Sequence, residues 1–201
     1  DLVIDPNVSL EDKTDFSRII TTGCDQLLSI LGNVLQFSLI ESGTLSLKVD
    51  EFELSDLVHE LLLMRKGQAI EKGLILELES AKNLKINSDR SNIGLILTSL
   101  LDNAEKFTAE GKINFGYRQN GHKVLFYVSD TGKGIPEHIG DRVFERFYRV
   151  NDAAHITAGS GLGLPISKAI VKALGGTIWH EPNGTKGTTF FFEIPRHAGL
   201  G

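Results

Sequence analysis

An aspartate followed by two closely spaced glycines stands beyond the midpoint of the sequence. Asp130 opens the run Asp-Thr-Gly-Lys-Gly, in which Gly132 and Gly134 allow the backbone to turn sharply and to come close to another molecule. The run follows the alternating apolar segment 124–128, which predicts a strand. A carboxylate fixed at a strand end can accept a hydrogen bond from an amino group such as the exocyclic amine of adenine. The same spacing is also typical of an ordinary turn.

Asp-Thr-Gly also occurs in aspartic proteases, in which two such carboxylates share one proton. The sequence contains a single Asp-Thr-Gly, so a protease would have to be a homodimer. The residues around Asp130 must therefore decide between these interpretations.

A second group of candidate residues lies on the predicted helix that ends at Phe107. Asn103 and Lys106 are three positions apart and share one face of that helix. An amide oxygen is a hard ligand that suits Mg²⁺, and an ammonium group suits a phosphate. The alternative is an ordinary solvated helix face.

Glycines also open a later helix. The segment Gly159-Ser-Gly-Leu-Gly163 would place backbone amides at a helix N-terminus, which favours a phosphate. Its spacing matches neither the dinucleotide fingerprint nor the P-loop pattern, so a flexible connector is an equal alternative. A third glycine-rich segment, Gly184–Phe190, could equally be an ordinary hairpin turn.

A long amphipathic helix precedes all of these groups. Apolar residues recur at steps of three and four along residues 10–40, and Gly43 marks the expected end. Such a persistent apolar seam favours packing against a partner helix in a bundle or dimer. The alternative is a helix folded back on its own domain. Cys24 lies on this face, where a buried structural thiol is expected.

Strands and helices alternate along the rest of the chain. Strands are predicted at 44–54, 74–78, 85–87, 112–118, 122–128, 177–180 and 188–194. Helices are predicted at 55–72 with Ser55 as the cap, 88–107, 137–147 and 162–174, and 149–160 is expected to be a mobile loop. This order predicts an α+β fold, a two-layer α/β sandwich with a mixed sheet and helices on one face.

Composition excludes several classes of protein. The 201 residues carry a net charge of −5, which gives no indication of nucleic-acid binding. A single cysteine excludes an internal disulfide framework. No apolar run is long enough to span a bilayer, so we expect a soluble chain that contacts a membrane only through segments absent from this sequence.

Taken in order, these motifs resemble the boxes that define sensor histidine kinases. Asn103, Asp130-x-Gly-x-Gly134, Gly159-x-Gly-x-Gly163 and Gly187-Thr-Thr-Phe190 resemble the N, G1, G2 and G3 boxes, and Phe144–Arg149 resembles the F box. The resemblance covers essentially the whole chain. It implies an ATP-binding domain of the type shared with gyrase, HSP90 and MutL in residues 43–201. Residues 1–42 are similar to the partial dimerisation domain, with the second helix of its helical hairpin.

The resemblance implies roles at the base end of a nucleotide site. Asp130 would bind the adenine amine, Phe107 would pack against the base or ribose, and Thr188 would lie near the adenine. Gly132 and Gly134 would let the backbone approach the nucleotide.

It also implies roles at the phosphates. Asn103 would hold Mg²⁺, and Lys106 and Arg149 would meet the phosphates. Residues 150–160 would form a lid that closes over ATP. Three backbone amides would cradle the phosphates, those of Gly161, Leu162 and Gly163.

The family's phosphoacceptor histidine has no counterpart in the sequence. It lies on the first helix of the hairpin, in the context His-Glu/Asp-x-Arg/Lys-Thr/Asn-Pro, and none of the six histidines has that context. His59 lacks the following basic residue and proline and is interpreted as structural. We therefore expect Asp1 to fall near the end of the missing first helix. We also expect the chain to bind ATP without phosphorylating itself.

Ser99 is the second departure from the family pattern. It lies one turn before Asn103, where many sensor kinases have another asparagine and the hydrolytic relatives have a glutamate that acts as a general base on water. A serine is not a comparable base near neutral pH. This position therefore argues against an efficient ATPase.

The leading interpretation is the catalytic part of a two-component sensor kinase, which transfers the γ-phosphoryl group of ATP to a histidine outside this chain. The alternatives are an ATP-hydrolysing relative, a binding module without phosphotransfer, and a serine kinase of the same fold. The resemblance implies a homodimer in the intact protein and a response regulator receiver domain as partner. It also implies a cytoplasmic location, as part of a membrane-anchored bacterial sensor.

Overall fold

The chain consists of two compact units in a computed structural model. The structure describes residues 9–42, 45–79, 82–146, 148, 161–184 and 186–197. The first unit spans Asp1–Gly43 and the second spans Thr44–Gly201. Over the described residues, no helix combines the length and apolar character needed to cross a membrane.

The first unit contains one long helix, α1, from Leu10 to Glu41. Ser9 begins it by accepting a hydrogen bond from the Asp12 backbone N–H at 3.0 Å, the bond of an N-cap. The predicted helix is therefore confirmed. Its apolar seam is exposed, with 68% of Leu27 and 56% of Leu31 accessible. Cys24 is exposed as well, so the prediction of a buried thiol is wrong, because the seam on which it lies is itself uncovered.

The second unit is built on a five-stranded sheet with the order β2-β4-β5-β7-β6. Strands β2 and β4 are parallel and the other neighbours are antiparallel, so the sheet is mixed. A separate antiparallel pair joins β1 and β3. The strands are β1 (Asp50–Glu53), β2 (Leu74–Glu79), β3 (Lys85–Ser88), β4 (Gly111–Asn120), β5 (Lys123–Asp130), β6 (Thr177–Pro182) and β7 (Thr188–Pro195).

The described residues of this unit also form three α-helices and one 3₁₀ helix. They are α2 (Leu54–Glu71), α3 (Arg90–Phe107), the 3₁₀ helix Gly140–Phe144 and α4 (Gly163–Ala173). The helices cover the sheet face that carries Phe115, Phe126 and Phe192, all fully buried. Phe126 and Phe192 stack with their ring centroids 4.5 Å apart. The predicted α+β class with a mixed sheet is confirmed.

Strand β1 is shorter than the predicted strand 44–54. Residues 45–49 precede it without regular structure. The Lys48 backbone N–H donates to the Asp89 carboxylate at 2.8 Å rather than to a neighbouring strand, which explains the shorter element.

The starts of two helices also differ from prediction. Helix α2 begins at Leu54, and its N-cap is Glu53 rather than Ser55. The helix predicted at 137–147 is the short 3₁₀ helix instead. Gly140 has a φ of 49°, a left-handed conformation that an α-helix does not accommodate.

Candidate functional site

The carboxylate of Asp130 is the most buried acidic group of the candidate site. Asp130 is the last residue of β5 and is 5% exposed, on the same sheet face as Val128. Its Oδ1 accepts hydrogen bonds from the backbone N–H groups of Gly132 at 2.8 Å and Thr188 at 3.2 Å. Burial raises the pKa of Asp130, against the opposite effect of these two donors. The carboxylate is therefore held in one orientation by two separate segments.

Both of these donors bond the same oxygen. Among the described residues, no hydrogen bond reaches Oδ2 of Asp130. Oδ2 is not among the fully buried, unpartnered side-chain atoms of the described residues, so it stays open to a donor from outside the protein. The geometry suits an incoming amino group.

The two glycines after Asp130 lie close to the protein's own backbone. A Cβ on Gly132 would be 2.3 Å from the Phe107 carbonyl oxygen. Gly134 has a φ of 74°, and a Cβ there would be 3.2 Å from the Gly187 carbonyl oxygen. The loop is therefore wedged between the end of α3 and the turn before β7. That these glycines also approach a nucleotide stays a prediction.

Phe107 ends α3 directly beside this loop. The Lys133 backbone N–H donates to the Phe107 carbonyl at 3.2 Å. The ammonium groups of Lys106 and Lys133 lie 4.9 and 5.2 Å from the centre of the Phe107 ring. A half-buried aromatic ring flanked by two cations suits a ligand that carries both a flat base and negative charge.

Asn103 lies one turn before Phe107, half-buried on α3. Its side-chain amide has no hydrogen-bond partner in the part of the chain that the structure describes. Over the same part, no three His, Cys, Asp or Glu side chains cluster to hold a metal ion. Asn103 thus fits Mg²⁺ as a single protein ligand, with phosphate oxygens and water as the remainder.

A charge cluster that the sequence did not reveal fixes the other side of α3. Glu105 is 6% exposed, and its two carboxylate oxygens accept from Arg65 at 3.0 Å and from Lys72 at 3.1 Å. Arg65 also bonds Asp102 at 2.7 Å. Although burial lowers it, the pKa of Arg65 is raised overall by Asp102 and Glu105. These ion pairs tie α3 to α2 and to Lys72, the C-cap residue of α2.

The start of α4 abuts α3. A Cβ on Gly163 would be 2.7 Å from Ser99 Oγ, so the glycine permits the close approach of the two helices. Gly161 has a φ of 68°, and Leu162, the N-cap, makes no side-chain capping bond. Arg149, Gly159 and the predicted lid 150–160 lie outside the described residues.

The turn between β6 and β7 meets Asp130 from the far side. Thr188, the first residue of β7, is 4% exposed. That it lies near an adenine stays a prediction. The Asn183 side chain donates to the Asp130 carbonyl at 2.7 Å. The Asn-Gly pair at 183–184 predicted the hairpin, but no sequence signal predicted this contact.

The structure thus brings most of the predicted residues together. Direct contacts link Phe107, Gly132, Asp130, Thr188 and, through Gly187, Gly134. Helix α3 places Asn103 and Lys106 beside this group, and Ser99 joins the start of α4 to the same helix. A groove of about 870 Å³ lies elsewhere, over residues such as Arg118, Tyr127 and Phe191 of the sheet face without helices.

A family model and several known proteins match the chain. The family described as Histidine kinase-, DNA gyrase B-, and HSP90-like ATPase matches residues 88–198, more than half of the chain. Sensor histidine kinase AruS of Pseudomonas aeruginosa is 35% identical over 185 residues, which cover 88% of this chain and 18% of AruS. The chain spans about a fifth of the length of the curated relatives it matches.

Solved structures agree with these matches. Full-length ShkA in complex with AMPPNP has a TM-score of 0.82 and 26% identity, covering 100% of this chain and 42% of ShkA. Histidine kinase ThkA in complex with response regulator protein TrrA has a TM-score of 0.74 and 27% identity, covering 98% of this chain and 54% of ThkA.

Proposed function

Because the chain belongs to the family of histidine kinase-, DNA gyrase B-, and HSP90-like ATPases, we propose that it is the catalytic, ATP-binding part of a two-component sensor histidine kinase. The observation that carries this proposal is the buried Asp130 carboxylate, which two backbone donors hold through Oδ1. Curated relatives named as sensor histidine kinases support it.

The base end of the site would recognise adenine. Oδ2 of Asp130 would accept from the exocyclic amine, Phe107 would pack against the base or ribose, and Thr188 would close the pocket from β7. Gly132 and Gly134 would bring the loop backbone near the nucleotide. The AMPPNP bound to ShkA, an ATP analogue, supports ATP as the ligand.

The phosphate end would bind the triphosphate with its metal ion. Asn103 would supply an amide oxygen to Mg²⁺, which neutralises phosphate charge when bound. Lys106 and Arg149 would meet the phosphates, and the amides at the start of α4 would cradle them. These amides belong to Gly161, Leu162 and Gly163.

The γ-phosphoryl group would pass to a histidine outside this chain. In this reaction the protein contributes positioning and charge neutralisation rather than covalent chemistry. The Nδ1–H of His59 donates to the Ser55 carbonyl at 2.6 Å within α2, which agrees with a structural role. We therefore expect no phosphate on the chain after incubation with labelled Mg·ATP, and an acid-labile phosphohistidine would contradict this.

Residues 1–42 would be the second helix of the dimerisation hairpin. The exposed seam of α1 supports this role, since Ile20, Leu27, Leu31 and Val34 are each at least 44% accessible. The intact protein would then be a homodimer. A response regulator receiver domain would accept the phosphoryl group, as the pairing of ThkA with TrrA suggests for that kinase. We place the domain on the cytoplasmic side of a membrane-anchored bacterial sensor.

Calorimetric titration with Mg·ATP and Mg·ADP tests the proposal. We expect binding by the unmutated chain and a loss of about 100-fold in Asp130→Asn, because an amide would turn a donor toward the adenine amine. Asp141→Asn is the matched control, since it removes the same charge from an exposed position in the 3₁₀ helix. Equal binding by the Asp130→Asn variant would refute adenine recognition by this carboxylate.

Steady-state phosphate release separates the kinase from a hydrolytic relative. Ser99 lies against Gly163 and supplies no carboxylate to activate water. We therefore expect phosphate release from Mg·ATP to stay at the background rate. Multiple turnovers per minute would favour the hydrolase.

A further inference from the structure

Strand β7 separates from β5 one residue before the candidate aspartate. The pairing of β5 with β7 runs from Lys123 opposite Pro195 to Ser129 opposite Thr189 and does not include Asp130. On its other side Asp130 is paired with Ile113 of β4. The main-chain carbonyl of Asp130 therefore lies where the regular ladder to β7 has ended.

The side chain of Asn183 supplies the missing donor. Its Nδ2 donates to the Asp130 carbonyl oxygen at 2.7 Å. Its own backbone N–H donates to the Gly187 carbonyl at 3.1 Å, which closes the turn between β6 and β7. A single half-buried asparagine thus connects the closure of this turn to the main chain of Asp130.

Gly187, in the same turn, lies directly against that carbonyl. Gly187 has a φ of 95°, and a Cβ at this position would be 2.2 Å from the Asp130 carbonyl oxygen. Gly187 is followed by Thr188, whose N–H donates to the Asp130 carboxylate. The position of the turn therefore determines both where the Asp130 backbone lies and where its carboxylate points.

We propose that Asn183 is a positioning residue for base selectivity: it aims the Asp130 carboxylate at the exocyclic amine of adenine and so discriminates a 6-amino purine from a 6-oxo purine. The inference rests on the proposed nucleotide site and adds to it a residue outside the four boxes and the F box. A 6-oxo purine presents a carbonyl where adenine presents an amine, and a carboxylate held in place rejects it. A carboxylate that moves loses this discrimination.

The test compares Mg·ATP with Mg·ITP, whose hypoxanthine base has an oxygen in place of the 6-amino group. Dissociation constants would be measured by calorimetry on the full chain for Asn183→Asp and Asn183→Ala. The aspartate is nearly isosteric and turns an acceptor toward the Asp130 carbonyl. Asn120→Ala is the matched control, because Asn120 also bonds through its side chain in a hairpin, to Glu193 at 2.7 Å.

We expect the ratio of ITP to ATP dissociation constants to fall about tenfold in both Asn183 variants, the effect of one misdirected hydrogen bond. The Asn120→Ala variant should keep the ratio of the unmutated chain. Melting temperatures, measured in parallel, would show whether each variant is folded at the temperature of titration.

Three outcomes would overturn the inference. The first is a ratio within twofold of the unmutated value in both Asn183 variants. The second is an equal weakening of ATP binding and ITP binding. The third is unfolding of both variants. Each of these outcomes would give Asn183 a purely structural role. If the unmutated chain binds neither nucleotide, the proposed function fails. If it prefers ATP and the variants keep that preference, the inference on Asn183 fails alone.

Discussion

The two ends of the candidate site differ in how much of their bonding the protein supplies. At the base end, backbone donors from two segments hold the Asp130 carboxylate, and Gly132 is wedged against the end of α3. At the phosphate end, the Asn103 amide has no partner among the described residues, and α4 begins at Gly163 without a side-chain cap.

This difference indicates which part of the ligand each end can recognise. A preorganised base pocket loses little conformational entropy on binding and can discriminate between bases. Groups without protein partners would instead be completed by the ligand, in the proposed site by phosphate oxygens and a metal ion. We therefore expect changes at the base end to alter the affinity for ATP and ADP, with or without Mg²⁺. Changes at the phosphate end should alter nucleotide affinity only when phosphate and metal are present.

The largest effect is expected from Gly132→Ala. The added methyl carbon would fall 2.3 Å from the Phe107 carbonyl oxygen, which is backbone at the end of a helix and cannot move aside cheaply. The loop would have to leave α3 and would displace the Asp130 carboxylate with it. We expect Mg·ADP binding to weaken by roughly 100-fold in a calorimetric titration, the equivalent of about 3 kcal/mol.

The matched control for this substitution is Gly67→Ala. Gly67 lies on α2, and a Cβ there would meet nothing within 4 Å. Alanine in a helix interior is favoured over glycine by about 1 kcal/mol, so this variant should melt higher and bind normally. Unchanged binding by Gly132→Ala would show that the base end is not preorganised by this contact.

The sequence predicted the members of the base end better than the contacts that hold them. A strand end and a glycine run indicated Asp130, because side-chain alternation and turn chemistry are local properties. The bond from Asn183 to Asp130 joins residues 53 positions apart, and no local pattern encodes it. For the same reason the sequence did not indicate the close approach of Gly132 to the end of α3. That Gly132 also approaches a ligand stays a prediction.

The next effect is expected at the phosphate end. Asn103→Ala removes an amide oxygen that bonds nothing in the described protein, so stability should hardly change. We expect ATP affinity to fall about tenfold with Mg²⁺ present, as for the loss of one ligand bond to a charged group. In the presence of a chelator the variant and the unmutated chain should bind alike. A loss of equal size without Mg²⁺ would contradict the metal role.

A smaller effect concerns pH at the base end. Burial raises the pKa of Asp130, so its protonated form stabilises the unliganded fold. This contribution is complete below the unfolded pKa and is lost as the pH rises through the folded pKa. Asp130→Asn imitates the protonated group, and should melt slightly above the unmutated chain at pH 7. Thermal melts should converge as the pH is lowered towards about 4, and a lower melting temperature of the variant at pH 7 would contradict this.

The secondary structure shows the same difference between features that the local sequence specifies and features that depend on distant contacts. The long helix α1 and the hairpin of β4 and β5 were predicted because periodicity and an Asn-Gly turn specify them locally. The helix predicted at 137–147 is interrupted at Gly140, which has a positive φ and whose carbonyl accepts a hydrogen bond from the ring of His180, 40 positions away. Local pattern does not reveal the partners of the buried Glu105 either, because Arg65 and Lys72 lie 40 and 33 positions away in sequence.

The smallest effect on binding is expected from that distant cluster. Glu105→Gln removes the carboxylate that Arg65 and Lys72 share, although Arg65 keeps its bond to Asp102, and should lower the free energy of unfolding by about 1–3 kcal/mol in denaturant titrations. The exposed pair of Glu51 and Lys85 is the control, and Glu51→Gln should leave the denaturant midpoint nearly unchanged. Below its melting temperature, the Glu105→Gln variant should bind Mg·ADP nearly normally, because base recognition depends on contacts made by the loop and not on the ion pairs behind α3. A loss of binding as large as that of Gly132→Ala would mean that α3 itself, rather than its terminal carbonyl, sets the base end.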